Sequence, residues 1–363
     1  MKVSDLASAM EGIAPSCWAA AWDNVGLLVG DPGAPLARVL LTIDCTREVL
    51  AEACRGGEGG AVVSYHPVLF DAQRRFVAGS VAFEAARAGV AVYCPHTALD
   101  VAPGGTNDVL ADAVGMRDRR PLRAVDTPEA ACKLVTFVPE GHLDAVSRAV
   151  FDAGAGRIGQ YTSCSFRSTG TGTFFGEAGT NPAVGQAGRL ELAPEVRLEI
   201  VTPLARAEAV VKALRAAHPY EEPAFDLVRL AAPPSGLGFG RVGAVDAAPA
   251  RVHVERIKRS LAVDHALVGG PLDREVTRAA ACAGSGGDLL DDAIAAGAHL
   301  VLTGELRHHD ALRAVAHGLV VVCVRHSTSE RGALVPLARR LSELLPGVTV
   351  ATSPLDNDPL TFA

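Results

Sequence analysis

None of the eight cysteines, at 17, 45, 54, 94, 132, 164, 282 and 323, forms a CxxC pair, so the thiol spacing of zinc ribbons and dithiol redox motifs is missing. They read instead as small buried hydrophobes in a reducing compartment, with Cys45, Cys94 and Cys323 in or beside apolar strand-like runs. No stretch is dense enough in Lys and Arg to neutralise a phosphate backbone, and the net charge is −7. Nonspecific nucleic-acid binding is therefore disfavoured. Aromatic residues are only 5% of the chain, too few for a series of base-stacking platforms. No apolar span reaches the roughly 20 residues that cross a bilayer, and MKVSDLASAM carries no apolar signal core. A cytoplasmic protein without membrane attachment is expected.

What is present suits packed globular structure: 49% hydrophobic and 21% charged residues in a chain of 363, long enough for two domains. From Arg38 to Arg117, apolar runs alternate with helical stretches: 39-VLLTID-44, a helix over about 47–54, 61-AVVSY-65, a helix near 79–89, and 90-VAVYC-94. The last third repeats this rhythm with 265-HALVGG-270, a helix over about 289–296, 299-HLVLTGE-305, a helix near 308–318, and 319-LVVVCV-324. Two similar α/β halves around buried sheets follow from this pattern.

Between them the text changes. The strand 132-CKLVTFVP-139, a helix over 142–154, a Gly/Thr-rich region, the strand 195-EVRLEIVTP-203, a helix over 205–219 and the strand 224-AFDLVRL-230 predict a ferredoxin-like α+β module. The Pro/Gly-rich 231-AAPPSGLGFG-240 reads as its exit. The expected organisation is therefore 1–125 and 233–363 as the two halves of one α/β domain, interrupted by an inserted domain at 126–232.

Each half also carries a chemical signal. The first has 89-GVAVYCPHTALD-100 and the second 318-GLVVVCVRHSTSE-330, each an apolar strand with a cysteine followed by a histidine and, four residues later, an acid. Across one helical turn that spacing puts imidazole and carboxylate on one side. Together with His66, at the tip of 61-AVVSYH-66 just before Pro67, this gives His66, His96, Asp100, His326 and Glu330 at the C-terminal ends of strands. Neutral imidazole and carboxylate suit zinc, manganese, iron or nickel, and this is the sheet edge where ligands bind.

Other residues leave alternatives open. Glu305 ends the strand that corresponds to the one ending at His66, and reads as a general base, an anchor for a histidine or a cap for the next helix. His96 reads as orienting water or substrate, or as a direct ligand. His308 and His309 open a helix and are expected at the surface. Asp23 and Asn24 suit a turn that packs Trp22 inward, with a substrate contact as the alternative. The glycines of 284-GSGGD-288 lack the Lys-Ser/Thr of a phosphate-binding loop and are expected to let backbone approach the metal site. In the insert, 218-HPYEEP-223 reads as a rigid loop in an assembly interface more readily than as a second metal site.

The stretches 22-WDNVGLLVGDP-32, 64-SYHPVLF-70, 95-PHTALDVAPGGTND-108, 302-LTGELRHHDAL-312 and 326-HSTSERG-332 together resemble the Nif-three-like dinuclear-metal-centre proteins, widely named GTP cyclohydrolase I type 2 homologues. The resemblance runs nearly end to end, because 156-GRIGQYTSCSFRSTGTGTF-174 and 217-AHPYEEPAFDL-227 are similar to the family's PII-like insert. It implies that His66, Asp100 and Glu330 hold one metal, and that Tyr65, His326 and Glu330 hold a second, with Glu330 bridging. Tyr65 stands where many bacterial members have histidine, and a phenol of ordinary pKa ~10 ligates only after a metal helps deprotonate it. The second ion is accordingly expected to bind more weakly.

The implied activity is metal-dependent hydrolysis of a nucleotide such as GTP or of a phosphoester, with Glu305 or His96 moving protons and a homohexamer or trimer-based ring as the assembly. The competing expectation is a nonenzymatic ring-forming protein that binds metal or a regulatory partner.

Overall fold

The structure is a computed structural model and describes residues 1–55, 57, 59–125, 131–230 and 236–361. The chain separates into two compact units, Met1–Val125 with Gly236–Ala363, and Asp126–Ser235. The sequence boundaries at 125/126 and 232/233 fall on or beside 126–130 and 231–235, which lie outside the described residues.

The first unit holds two sheets. One comprises β1 (Gly26–Val29), β2 (Arg38–Thr42), β3 (Gly60–Ser64), β4 (Ala91–Cys94) and β15 (Thr349–Thr352) in the order β1-β4-β3-β2-β15. Its β4, β3, β2 and β15 run parallel, and β1 pairs antiparallel at the edge. The runs VLL, AVV and AVY are buried throughout rather than alternating, as both faces of a parallel sheet require. Val39, Leu41, Ala61, Val63, Ala91 and Tyr93 pack on one face with the helices Val3–Ile13 and Leu334–Leu344. Leu40, Val62 and Val92 point the other way, toward Arg47–Arg55 and Val81–Arg87.

The other sheet comprises β5 (Arg117–Ala124), β10 (Gly238–Pro249), β11 (Leu267–Gly269), β12 (Glu275–Ser285), β13 (Leu300–Glu305) and β14 (Val320–Cys323), in the order β11-β14-β13-β12-β10-β5. Here β12, β13 and β14 are the parallel core, with β11 antiparallel to β14 as β1 is to β4. The correspondence makes the two halves one pattern used twice. Each half also receives a strand from elsewhere in the chain: β5, ahead of the insert, joins the second sheet, and β15, near the C-terminus, joins the first. Among the described residues, no helix is long and apolar enough to cross a membrane.

The second unit runs strand, helix, strand, strand, helix, strand. Its antiparallel sheet of β6 (Ala131–Val138), β7 (Phe166–Phe175), β8 (Leu190–Pro203) and β9 (Phe225–Arg229) has the order β7-β8-β6-β9. The helices Leu143–Asp152 and Ala207–Ala217 bury Val146, Val150, Val210 and Leu214 against Leu134, Leu198 and Ile200.

His218 follows the second of these helices. Its Nε2 faces the Phe137 carbonyl at 3.0 Å, and the Tyr220 N–H donates to its Nδ1 at 3.1 Å. Both bonds are made by the neutral ring protonated on Nε2, and burial, partly opposed by the Phe137 carbonyl, holds the pKa below the ordinary 6.5. The unfolded chain therefore takes up the proton first as pH falls, so this contribution to stability is complete above about 6.5 and declines below it. The thermal midpoint is expected to fall between about pH 7 and pH 5 by more in the wild type than in His218→Gln. Equal slopes in differential scanning calorimetry would count against this.

Cys45 and Cys94 are buried as expected, whereas Cys323 is only partly buried; Cys17, in the short helix Ser16–Trp18, and Cys54, in the helix Arg47–Arg55, are exposed.

Candidate metal centre

The sheet ends deliver His66, Glu305 and the two histidine helices to one place. His96 and Asp100 share the helix His96–Val101, and His326 and Glu330 share His326–Arg331. Both strand-to-helix turns need unusual backbone: Arg325 has φ +78° and His96 has φ +24°. Such conformations cost side-chain-bearing residues about 1–3 kcal/mol and concentrate where a function requires a particular aim.

His66, His326 and Glu330 offer ligand atoms that all lie within 4.8 Å of one another. His326 Nε2 is 3.2 Å from Glu330 Oε1, and His66 Nε2 is 3.3 Å from Glu330 Oε2. The second pair is close but misaligned, so both buried atoms are without a directional hydrogen bond. Glu330 itself is 3% exposed. A buried carboxylate between two imidazole nitrogens is a donor set that a divalent cation fits, taking the place of protons there.

The outward nitrogens of all three histidines are held by carboxylates. Nδ1 of His66 meets Asp44 Oδ1 at 2.9 Å, Nδ1 of His96 meets Asp23 Oδ1 at 2.8 Å, and Nδ1 of His326 meets Glu305 Oε1 at 3.0 Å. This pairing fixes tautomer and ring orientation and leaves each Nε2 for other work. Burial alone would lower His66, but the hydrogen bond to Asp44 and the charges of Glu330 and Asp44 outweigh it and push the imidazole up to about 10. The hydrogen bond to Glu330, against burial, lifts His326 to about 9. Burial would raise Asp23, yet its bonds to His96 and Thr97 hold it below the usual carboxylate range. The site therefore carries an excess of carboxylate that attracts positive charge.

Tyr65 and Asp100 lie beside this trio and are occupied with each other. The Tyr65 hydroxyl donates to Asp100 Oδ1 at 2.5 Å. Burial first, then the charges of Asp100 and Glu330, hold the phenol well above its usual range, so it stays protonated. Burial and the Glu330 charge push Asp100 up to about 6, against the Tyr65 bond. The rings of His96 and His66 are 5.5 Å apart, and His96 and Tyr65 are 5.6 Å apart.

Of the three readings of Glu305, the structure displays the histidine anchor; the helix after it is preceded by Arg307, with no side-chain cap. His308 and His309 are exposed. Trp22 corrects the expectation of an inward turn, being 65% exposed. The turn instead spends Asp23 on His96 and Thr97 and ties Asn24 to the Leu69 carbonyl at 2.6 Å, which leaves the indole outside. Asp44, which ends the run 39-VLLTID-44, is the anchor that sequence reading missed; a carboxylate at a strand tip beside a histidine-bearing strand was the available signal.

Gly284 has φ +63°, and a Cβ there would lie 2.8 Å from Glu330 Oε1 and 3.2 Å from His326 Nε2. This backbone approach is what the glycine-rich loop provides. Gly284→Ala is expected to fold with a stability cost of about 1 kcal/mol for the positive φ and to weaken divalent-ion binding by at least about tenfold, a loss typical of disturbing a ligand's support. Isothermal titration with zinc or manganese would show it; unchanged affinity would contradict the stated contact.

The family described as Duf34/NIF3 (NGG1p interacting factor 3) matches residues 1–359. A Halalkalibacterium halodurans protein named GTP cyclohydrolase 1 type 2 homolog is 35% identical over 96% of this chain and 95% of its own length. A Bacillus subtilis protein of the same name is 33% identical over 97% and 96%. Among solved structures, a Bacillus cereus protein related to NIF3 is 32% identical with a TM-score of 0.67, covering 100% of this chain and 99% of that one. A Staphylococcus aureus protein is 26% identical with a TM-score of 0.77, at the same coverages.

Proposed function

The chain belongs to the Duf34/NIF3 family, and from that premise we propose that it is a metal-dependent hydrolase acting on a nucleotide or phosphoester. The observation that carries this reading is the pair of buried, unspent atoms His66 Nε2 and Glu330 Oε2 beside His326 Nε2. In it, His66, His326 and Glu330 would hold a divalent ion, while Tyr65 keeps the neighbouring Asp100 supplied with a proton donor. Such an ion supplies Lewis acidity and makes water a better nucleophile near neutral pH.

The rest is the work of side chains. Asp44 and Glu305 aim the two histidines, and Glu305 thereby serves as a positioning residue. His96, oriented by Asp23, is the group placed to pass a proton to or from a substrate oxygen. Because Tyr65 is spent on Asp100, the reading assigns one ion per chain rather than the bridged pair. The family likeness adds a trimer-based homohexamer to the proposal, which sedimentation velocity would test.

GTP leads the substrates to be tried because the relatives bear that name. Metal-loaded protein is expected to release formate or phosphate from GTP or a simple phosphoester, and His96→Ala to reduce turnover while keeping its metal. Elemental analysis is expected to find one ion in the wild type and two in Tyr65→His. A fully loaded protein that turns over no substrate of either class would overturn the hydrolase and leave a metal-binding assembly protein.

A further inference from the structure

The second unit contains a cleft of about 590 Å³ that has no part in the metal centre. That volume falls within the range of small-molecule sites. Its floor is the strand β7, where Gly170 and Gly172 present backbone instead of side chains. A Cβ at 172 would lie 2.1 Å from Glu195 Oε2 and would push that carboxylate aside.

Its walls combine two kinds of group. Phe137, Phe174 and Tyr220 supply half-buried rings, and Phe174 and Tyr220 form a corner with centroids 6.4 Å apart and planes tilted by 54°. Glu195, Glu221 and Glu222 supply carboxylates. The Tyr220 hydroxyl donates to Glu195 Oε1 at 2.7 Å, which fixes ring and acid together. Arg197 is the single cation among the residues lining the cleft, and its Nε is committed to Glu199 at 2.9 Å.

Each candidate ligand class can be weighed against this lining. An anion would meet three carboxylates and a single counter-charge, Arg197, that is already paired with Glu199. A neutral apolar molecule would fill the rings but strip water from the acids without replacing it. A cation with a flat or compact apolar body satisfies both sets, its charge on the carboxylates and its body against the ring faces. We infer that the cleft between β7 and the loop 218–224 binds a small organic cation, of the amidinium, guanidinium or alkylammonium class, through Tyr220, Phe174 and Glu195. The loop 218-HPYEEP-223 then serves as the outer wall of this site. The inference does not depend on hydrolysis at the metal centre.

The test uses the full chain and three probes of one shape: benzamidine, benzamide and benzoate, cationic, neutral and anionic at neutral pH. Calorimetric titration is expected to show benzamidine binding at least about tenfold more tightly than benzamide, with benzoate weaker still. Glu195→Gln, which preserves shape, is expected to weaken benzamidine by about tenfold and leave benzamide unchanged. Gly172→Val, which fills the floor, is expected to abolish binding of both. Equal binding of the three probes, or benzamidine binding indifferent to both substitutions, overturns the inference. So does a wild type that binds none of them, and sedimentation of Gly172→Val then distinguishes an empty cleft from one filled by a second copy, whose assembly the substitution would dissociate.

Discussion

Glu330→Gln is expected to abolish divalent-ion binding at the proposed site, with affinity falling by more than about 100-fold. Glutamine matches glutamate in volume, so the buried position stays filled and the helix His326–Arg331 keeps its packing. What disappears is the charge between His66 Nε2 and His326 Nε2, which are held 3.3 and 3.2 Å from the two carboxylate oxygens. An amide offers one neutral oxygen and turns an N–H toward one imidazole, so at most one of the two partners remains served. Asp44→Asn provides the comparison. It touches only the outer nitrogen of His66, and an outer partner of a ligand is worth roughly 10–100-fold in affinity. Elemental analysis of both variants, with thermal shifts on added zinc or manganese, reads the difference. Wild-type metal content in Glu330→Gln would show that the ion, if bound, lies elsewhere.

The largest stability effect is expected at Arg241. This guanidinium is 2% exposed and sits in β10. Its Nε donates to Asp108 Oδ1 at 2.7 Å and its Nη1 to the carbonyls of Gly238 and Gly240 at 2.7 and 2.9 Å. Its Nη2 reaches Asp108 Oδ2 at 3.2 Å and the Val101 carbonyl, at the end of the His96–Val101 helix, at 3.3 Å. Such a fork satisfies both partners, and its removal leaves a carboxylate and several carbonyls short of donors. Breaking one side of a buried pair costs about 3–5 kcal/mol. Arg241→Met, similar in length, is therefore expected to lower unfolding free energy by that amount in urea titrations. Arg241→Lys should recover only part of it, since a point charge cannot reproduce the fork. The double variant Arg241→Met with Asp108→Leu should be less destabilised than Arg241→Met alone. A loss under about 1 kcal/mol in Arg241→Met would mean that water replaces the guanidinium.

Much of this architecture was legible in the residues. The runs VLL, AVV and AVY have no polar alternation because parallel strands are covered on both sides, and the register shows Leu40 and Leu41 pointing to opposite helices. The histidine–acid spacing was equally readable, because a four-residue interval is local: His326 and Glu330 meet within one helix. The anchors were not. Asp44 lies 22 residues before His66 and Asp23 lies 73 before His96, so only the folded sheet brings them together. Trp22 misled for the same reason: an indole beside a turn suggests burial, but the neighbouring acid was recruited by a distant histidine and the ring was left outside. Arg241 gave no signal at all. A lone arginine in an apolar strand acquires its meaning from Asp108 and the Val101 carbonyl, more than 130 residues before it, which join the carbonyls of its own neighbours Gly238 and Gly240.

The strand β15 and the residues after it carry a consequence for how the protein is made. β15 completes the edge of β2, and Asp356 then accepts from the Ile43 N–H at 3.0 Å and from Arg331 Nε at 2.8 Å. Asp358 accepts from Ser327 at 2.7 Å, beside His326. These contacts join strands β1 to β4 to residues translated long afterwards. On the ribosome, β2 must therefore wait with an open edge, while the second unit, contiguous in sequence, has all its strands in hand and can fold first. Truncation before residue 349 would release a protein with an unpaired strand edge and an unbraced helix His326–Arg331.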